Sequence, residues 1–201
     1  MNLSFQKAMN RIFIFLVLLI SCSQKESQPA KSETASLPQD LPPGALVEEY
    51  GDGSGVSRVV VKDNAGAIQQ EGILKNGKRE GNWIEYYSVG FIKTITPYVN
   101  DLKEGIFVEM GANNQLAKKI GYHHNLKHGE YREYLYATLK EERYYQNDKI
   151  EGTVKVYYDI GKLMEEGNYK NGIRDGVSKW YDQEGNVTIE YEYKEGELIK
   201  K

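Results

Sequence analysis

The stretch "YKNGIRDGVSKWYDQEGN", Tyr169 to Asn186, sets the pattern for most of the chain. It contains an Asn-Gly pair, another glycine shortly after it, an aromatic pair and a final Glu-Gly. The segment "LKNGKREGNWIEYYSVG", Leu74 to Gly90, repeats nearly the same order of residue types. Asn-Gly between apolar runs is one of the best short-range signals for a β-hairpin. Both segments therefore predict a strand, a tight turn and a second strand.

The turn signal recurs along the chain at a nearly constant interval. Residues that tolerate a left-handed backbone follow one another at steps of 24, 24, 24, 23, 24 and 24: Gly53, Gly77, Asp101, Asn125, Asp148, Gly172 and Gly196. A second series lies four residues later: Gly81, Gly105, Gly129, Gly152 and Gly176. The glycines of both series are predicted to be structural turn residues. A third series marks another turn in each unit: Gly66, Gly90, Asn114, Thr138, Gly161 and Gly185.

The segments between these turns have the composition of strands. Tyrosine is unusually frequent, with 16 residues, and it is enriched in β-structure. A single hairpin is marginally stable in water, so hairpin units gain stability by stacking on their neighbours. We predict an all-β fold, a single elongated antiparallel meander of about six to seven hairpin units over residues 45–201. A β-sandwich or barrel with evenly spaced strands stays open as the alternative.

The segments quoted above, and more loosely "YVNDLKEGIFVEMGANN", resemble the MORN-repeat variant. The resemblance covers about Leu46 to Lys201 and departs from the pattern at Ser57, at Thr138 and at Ser178. It implies a single meandering antiparallel sheet that serves binding or scaffolding rather than chemistry. Some bacterial proteins with this repeat type are assigned to the antitoxin or immunity half of toxin systems.

The N-terminal segment has the features of an export signal. Lys7 and Arg11 precede an apolar run, Ile12 to Ile20, which carries no charge. At 1.5 Å per residue this run covers roughly half of a hydrocarbon core of about 30 Å. Residues 1–21 are therefore predicted to be a signal peptide rather than a membrane span.

A lipid anchor is predicted at the end of that segment. "LISC", Leu19 to Cys22, resembles the lipobox of bacterial lipoproteins, which implies that Cys22 is lipidated. An ordinary signal peptide followed by a free or buried thiol is the alternative. The polar residues up to Gly44 read as a flexible tether, so we assign 22–44 to a linker. The expected location is the cell envelope, with the chain anchored to a bacterial membrane, most simply the outer membrane on its periplasmic or surface face.

No motif points to catalysis or to a cofactor. His123, His124 and His128 are clustered, but strand alternation would turn the first two rings to opposite faces, so we predict turn residues and no metal. The same alternation separates neighbouring acids such as Glu141 and Glu142. A second set of acids, Glu85, Glu109 and Glu133, alternates with Lys93, Lys118 and Lys140 and predicts a solvated charge ladder. The chain is therefore predicted not to be an enzyme.

The aromatic residues and the charge suggest the kind of partner. A net charge of −3 argues against nucleic acid. Exposed rings on a rigid sheet suit a protein or a cell-wall glycan, and the candidate contacts are Tyr87, Tyr136, Tyr144, Tyr158 and Trp180. Packing of these rings against the sheet is the alternative. The predicted function is a membrane-anchored, non-catalytic binding or scaffolding protein. An immunity protein that neutralises a toxin and a hydrolase with convergent carboxylates are the other hypotheses.

Overall fold

The computed structural model describes residues 37–38 and 41–201. The predicted signal peptide, the lipidation site Cys22 and most of the predicted linker lie outside these residues. All regular secondary structure within them is β-strand. In this part of the chain, no helix has the length and apolar character needed to cross a membrane.

The strands all belong to one antiparallel sheet. They are β1 (Leu46–Glu49), β2 (Val56–Lys62), β3 (Ile68–Lys75), β4 (Lys78–Tyr86), β5 (Ile92–Val99), β6 (Leu102–Lys103), β7 (Gly105–Met110), β8 (Leu116–His123), β9 (Leu126–Leu135), β10 (Thr138–Gln146), β11 (Lys149–Ile150), β12 (Gly152–Tyr157), β13 (Leu163–Lys170), β14 (Ile173–Tyr181), β15 (Val187–Lys194) and β16 (Glu197–Lys200).

Each strand pairs with the strands next to it in sequence. The short strands β6 and β11 pair with β5 and β10, and β7 and β12 continue along the same partners. One residue separates each short strand from its continuation, Glu104 and Glu151 respectively. The predicted all-β antiparallel meander is confirmed.

From Asn76 onward, the Asn-Gly series forms two-residue turns in which both residues have positive φ. Gly53 also has positive φ, but it lies in the longer loop between β1 and β2 and not in a two-residue turn. Asn76 and Gly77 have φ of 50° and 77°, and Asn100 and Asp101 have φ of 51° and 69°. The equivalent turns are His124–Asn125, Asn147–Asp148, Asn171–Gly172 and Glu195–Gly196. Turns of this kind match the right-handed twist of the strands that they join.

Successive turns are hydrogen-bonded to one another. The Asp101 backbone N–H donates to the Arg79 carbonyl at 3.0 Å, and Arg79 N–H donates in return to Asp101 Oδ1 at 2.7 Å. Asn125 makes the same exchange with Lys103, and Asp148 makes it with Lys127. Aspartate and asparagine therefore do more at these positions than tolerate a left-handed backbone, because each side chain binds the preceding unit.

The second glycine series lies inside strands or at their first residues rather than in turns. Gly81, Gly129 and Gly176 have positive φ where the strand pairing shifts register. At Gly81, Glu71 to Ile73 of β3 lies opposite the longer segment from Glu80 to Ile84 of β4. Such bulges bend a strand and increase its local twist. Gly105 and Gly152 also have positive φ, and they begin β7 and β12.

The other end of each hairpin is closed by a longer loop, with one exception. In most units a five-residue loop is closed by a hydrogen bond from its first N–H to its last carbonyl, as between Tyr87 and Phe91 at 2.8 Å. Between β9 and β10 the turn is Tyr136–Ala137, with φ of 48° and 67°. This tighter turn accounts for the one step of 23 residues and for the lack of a glycine at Thr138.

Two buried clusters lie on the same face of the sheet, which we call the aromatic face. Val59, Leu74 and Trp83 form one buried cluster. Ile120, Tyr131 and Tyr145 form a second cluster. Leu41, Ala45 and Val47 pack against the first cluster. The packed body therefore begins at Leu41, which is inside the predicted linker.

Candidate functional site

A row of five tyrosines crosses the aromatic face. They precede successive two-residue turns and belong to β5, β8, β10, β13 and β15: Tyr98, Tyr122, Tyr145, Tyr169 and Tyr193. Four of the rings are half-buried and Tyr145 is buried. Neighbouring members lie two strands apart, so the spacing is about 10 Å. We call this set the tyrosine row.

Cations from neighbouring strands lie over these rings. Lys103 Nζ is 5.3 Å from the Tyr122 centroid, and Lys127 Nζ is 5.1 Å from the Tyr145 centroid. Arg174 is 5.3 Å from the Tyr169 centroid. The last of these contacts follows from the pairing register, since Tyr169 lies directly opposite Arg174. A cation over an aromatic ring contributes about 0.5–2 kcal/mol, more as the pair is desolvated.

Other aromatic rings hold the row from the side. Trp83 packs edge-on against Tyr98 with centroids 6.4 Å apart, and Phe107 packs in the same way against Tyr122 at 6.3 Å. Tyr131 meets Tyr145 at 6.0 Å. Edge-to-face pairs at these distances are favourable beyond their buried area. The rings are thus positioned before any partner arrives.

Burial favours the neutral phenol at three positions of the row. It raises the pKa of Tyr122, with the charge of Asp148 adding to the effect. Burial likewise raises the pKa of Tyr145 and of Tyr169, while the nearby arginines oppose it. The hydroxyl groups of these three residues therefore remain available as hydrogen-bond donors at neutral and moderately alkaline pH.

A groove lies at the N-terminal end of the row. It has a volume of about 580 Å³ and is lined by apolar and polar side chains, among them Trp83, Tyr98, Gln70, Glu85 and Thr96. Trp83 is only 2% exposed, and its indole N–H donates to the Ile73 carbonyl at 3.1 Å. Tyr98 and the polar side chains are therefore the accessible part of the groove.

The aromatic residues singled out from the sequence do not form one site. The hydroxyls of Tyr87 and Tyr158 donate to the carbonyls of Met110 and Tyr181 in the neighbouring units, at 2.9 and 2.6 Å. Tyr136 is 78% exposed.

The other two candidates lie on different faces. Tyr144 is exposed on the face opposite the core, where it pairs with Glu130. Trp180 lies on the aromatic face, with its ring centroid 5.6 Å from that of Tyr191. The sequence signal that we missed is a lysine or arginine 18 or 19 residues before a tyrosine of the row, as in Lys103–Tyr122, Lys127–Tyr145 and Arg174–Tyr193.

The neighbouring acids lie on opposite faces, but two acids meet across strands. Glu142 accepts a hydrogen bond from the Tyr157 hydroxyl on the outer face at 2.7 Å, whereas Glu141 lies on the aromatic face directly opposite Glu133. Burial raises the pKa of Glu141; Arg143 opposes this effect and Glu133 adds to it.

This pairing interrupts the predicted charge ladder. Lys93 and Lys118 lie 3.7 Å from Glu85 and Glu109, respectively, as the ladder requires. Lys140 does not lie opposite Glu133, because the register shifts between Leu139 and Glu141. Its ammonium group instead contacts Asp159 at 2.5 Å. The hairpins with five-residue loops have the same shift, for example between Glu85 and Tyr86 of β4.

The histidine pair is arranged differently from the strand-based prediction. His124 has φ of 49° in a turn, so its ring is not sent to the opposite face. Its Nδ1 lies 2.8 Å from His123 Nε2, and His123 Nδ1 lies 2.8 Å from Glu104 Oε1. The two imidazoles and the carboxylate therefore form a continuous chain of contacts at the third Asn-type turn.

Comparisons with known proteins assign no family. No family model matches the chain, and no curated protein matches it. A crystal structure of a GtfA/B complex bound to UDP and GlcNAc is 12% identical over 83% of this chain and 26% of that chain, with a TM-score of 0.22. A similarity at that level carries no argument about fold or function.

Proposed function

We propose that this chain is an exported, lipid-anchored protein of the bacterial envelope whose sheet is a non-catalytic binding surface. The partner is another protein or a cell-wall glycan, and the tyrosine row contacts it. The observation that carries the proposal is the row itself, which presents one half-buried or buried ring per unit from Tyr98 to Tyr193, several of them with a cation overhead.

The geometry of the row suits binding for two reasons. A tyrosine ring held by an edge-on neighbour loses little conformational entropy when a partner contacts it. The phenol also combines an apolar body with a hydrogen-bonding tip, which matches both protein surfaces and sugars. The spacing of about 10 Å between rings favours an extended partner that runs across the strands.

Charge reversal on the two faces tests which face binds. The full-length protein is cross-linked in membranes and purified, and the captured proteins are identified by mass spectrometry. In parallel, the protein is sedimented with purified peptidoglycan. We expect the Lys103→Glu/Lys127→Glu variant to lose capture or sedimentation by about tenfold or more, because both cations lie over rings of the row.

The control variant carries the same charge change on the outer face. Lys119 and Lys155 lie there, 3.5 Å from Glu130 and 3.7 Å from Glu142, so Lys119→Glu/Lys155→Glu is matched in chemistry. It should bind as the wild type does. Equal loss from both variants at equal melting temperature would remove the tyrosine row from the proposal. A toxin among the captured proteins would favour the immunity function.

Anchoring is tested separately through Cys22. Radiolabelled palmitate should enter the wild-type protein and should not enter a Cys22→Ala variant. Equal labelling of the two, or no labelling of either, would contradict the lipid anchor and leave the binding surface to be judged by the experiment above.

A further inference from the structure

Three side chains with metal-binding donor atoms meet at the turn between β8 and β9. His123 is the last residue of β8, His124 is the first residue of the turn, and Glu104 lies between β6 and β7. One donor atom from each lies within 4.8 Å of the others. We propose that this group binds a divalent metal ion, and specifically Zn²⁺.

The fold brings the group together through a contact that other turns also use. Glu80 Oε2 accepts the Asn100 backbone N–H at 3.1 Å, and Glu151 Oε2 accepts the Asn171 N–H at 2.8 Å. Glu104 Oε2 accepts the His124 N–H in the same way at 2.9 Å. The structural role therefore employs one carboxylate oxygen of Glu104. Its other oxygen faces His123 Nδ1.

The histidines are the departure from that common arrangement. The position of His124 is held by asparagine in four other turns, namely Asn76, Asn100, Asn147 and Asn171. The position of His123 is held by residues such as Gln146 and Lys170. Neither the turn nor the strand needs an imidazole there, yet both imidazoles occur together and beside the carboxylate.

The chemistry of these donors suits zinc. Imidazole nitrogen is a preferred zinc ligand, with bonds of about 2.0–2.1 Å. His123 Nε2 and His124 Nδ1 are already 2.8 Å apart, so a small rotation of the rings allows both to reach one ion. The contact between the Glu104 carboxylate and His123 Nδ1 is of a kind often found at metal sites, where it fixes the tautomer of the histidine ligand and increases its basicity.

The roles within the group follow from these contacts. His123 Nε2 and His124 Nδ1 are the direct ligands, Glu104 orients His123 and supplies negative charge, and water completes the coordination. The ion takes the place of the hydrogen that the two rings share, and that proton moves to His124 Nε2 or to solvent. His128 is outside the group, because its Nδ1 faces Asn147 Oδ1 at 3.2 Å.

Calorimetric titration of the full-length protein with zinc chloride tests the site. We expect saturable binding of one equivalent. The variants His124→Asn and His123→Gln copy residues that occupy the same positions in other units, so they should keep the fold. Each should weaken zinc binding at least tenfold. Glu104→Gln should weaken it by about 10–100-fold, the range for an orienting carboxylate.

The matched control is Glu151→Gln. It makes the same substitution at the equivalent turn contact of a unit whose turn has no histidine, so zinc affinity should equal that of the wild type. Zinc should also shift the imidazole nitrogen resonances of His123 and His124 in the wild type. Absence of saturable binding below about millimolar zinc, or equal affinity in the wild type and both histidine variants, would overturn the site.

Discussion

At each end of the aromatic face a glycine leaves space in the sheet, and the two ends fill that space with different kinds of side chain. Near the N-terminal end, Trp83 occupies the space beside Gly72, and Val59 and Leu74 complete an apolar cluster. Near the C-terminal end, the residue equivalent to Trp83 is Ser178. It is fully buried and lies directly opposite Gly167.

An arginine takes the remaining space at the C-terminal end. Arg174 donates to Ser178 Oγ at 2.9 Å and to a Glu165 carboxylate oxygen. Its guanidinium also lies over the rings of Tyr169, Trp180 and Tyr193, at 5.3, 5.4 and 5.6 Å. The charge is therefore paired and hydrogen-bonded, which is the condition under which a partly buried cation is tolerated.

The difference shows that the strand pairing does not dictate what fills the face. A glycine opposite the central position creates room at both ends, and either a large apolar ring or a paired cation can occupy it. The first solution stabilises through buried apolar area, whereas the second depends on every partner of the cation staying in place.

Adding a methyl group at Gly72 should damage the apolar end most. An ideal Cβ at Gly72 would lie 2.3 Å from Trp83 Cδ2, so Gly72→Ala must displace the indole. We expect a loss of about 3 kcal/mol in the free energy of unfolding. Urea unfolding followed by the fluorescence of Trp83, in a Trp180→Phe background, measures it.

A glycine with a flexible neighbour provides the control for this change. An ideal Cβ at Gly111 meets the end of the Asn113 side chain, which can move away. Gly111→Ala should therefore cost less than about 1 kcal/mol. Similar losses at both glycines would mean that the fit between Gly72 and Trp83 is not what stabilises this end.

Removing the cation should damage the other end by a smaller amount. Arg174→Met leaves the Glu165 carboxylate and Ser178 without their donor, and we expect a loss of about 1–3 kcal/mol. The fluorescence of Trp180 in a Trp83→Phe background should report it. Arg174→Lys should recover only part of the loss, because an ammonium group cannot reproduce the planar fork. Full recovery of stability by lysine would show that only the positive charge at this position matters and not the planar guanidinium.

The smallest effect is expected between the two ends, where Glu133 and Glu141 are opposed. Burial raises the pKa of Glu141, and the charge of Glu133 contributes. The folded state thus holds this proton to a higher pH than the unfolded chain does, so the contribution of Glu141 to stability falls as the pH rises between the two pKa values. Glu133→Gln should stabilise the protein at neutral pH by about 0.2–1 kcal/mol and make that fall less steep.

Melting temperatures between about pH 4 and pH 8 measure this effect. Glu109→Gln is the control with the opposite sign, because Glu109 lies 3.7 Å from Lys118 and its loss removes an attraction. A Glu133→Gln variant that is less stable than the wild type at neutral pH would show that the two carboxylates are not in conflict.

The strand order could be predicted from the sequence because it depends on local turns. Asn76–Gly77 and the equivalent pairs specify tight turns by their tolerance of positive φ, and consecutive tight turns leave an antiparallel meander as the simplest arrangement. The bulges could not be separated from the turns, because Gly81 and Gly77 express the same backbone preference.

The candidate site was harder to predict, because it depends on register. Lys127 and the Tyr145 ring are 18 residues apart in the chain, and they meet only because β9 and β10 pair in the register that puts Gly129 opposite Tyr145. His123 and His124 meet because a turn residue does not follow strand alternation. Glu133 faces Glu141 because of the register in which β9 pairs with β10, and the register of a strand pair is not visible in composition or periodicity.

The sequence by itself determined where this chain bends and that its strands follow one another across one antiparallel sheet, since backbone preference acts over a few residues. Only the tertiary structure decided which side chains face each other. It placed Trp83 and Arg174 at opposite ends of the aromatic face, and it brought the Glu104 carboxylate to the imidazoles of His123 and His124. The physical reason is that those contacts join residues from different hairpins, and their geometry depends on the summed register of every bulge and loop between them.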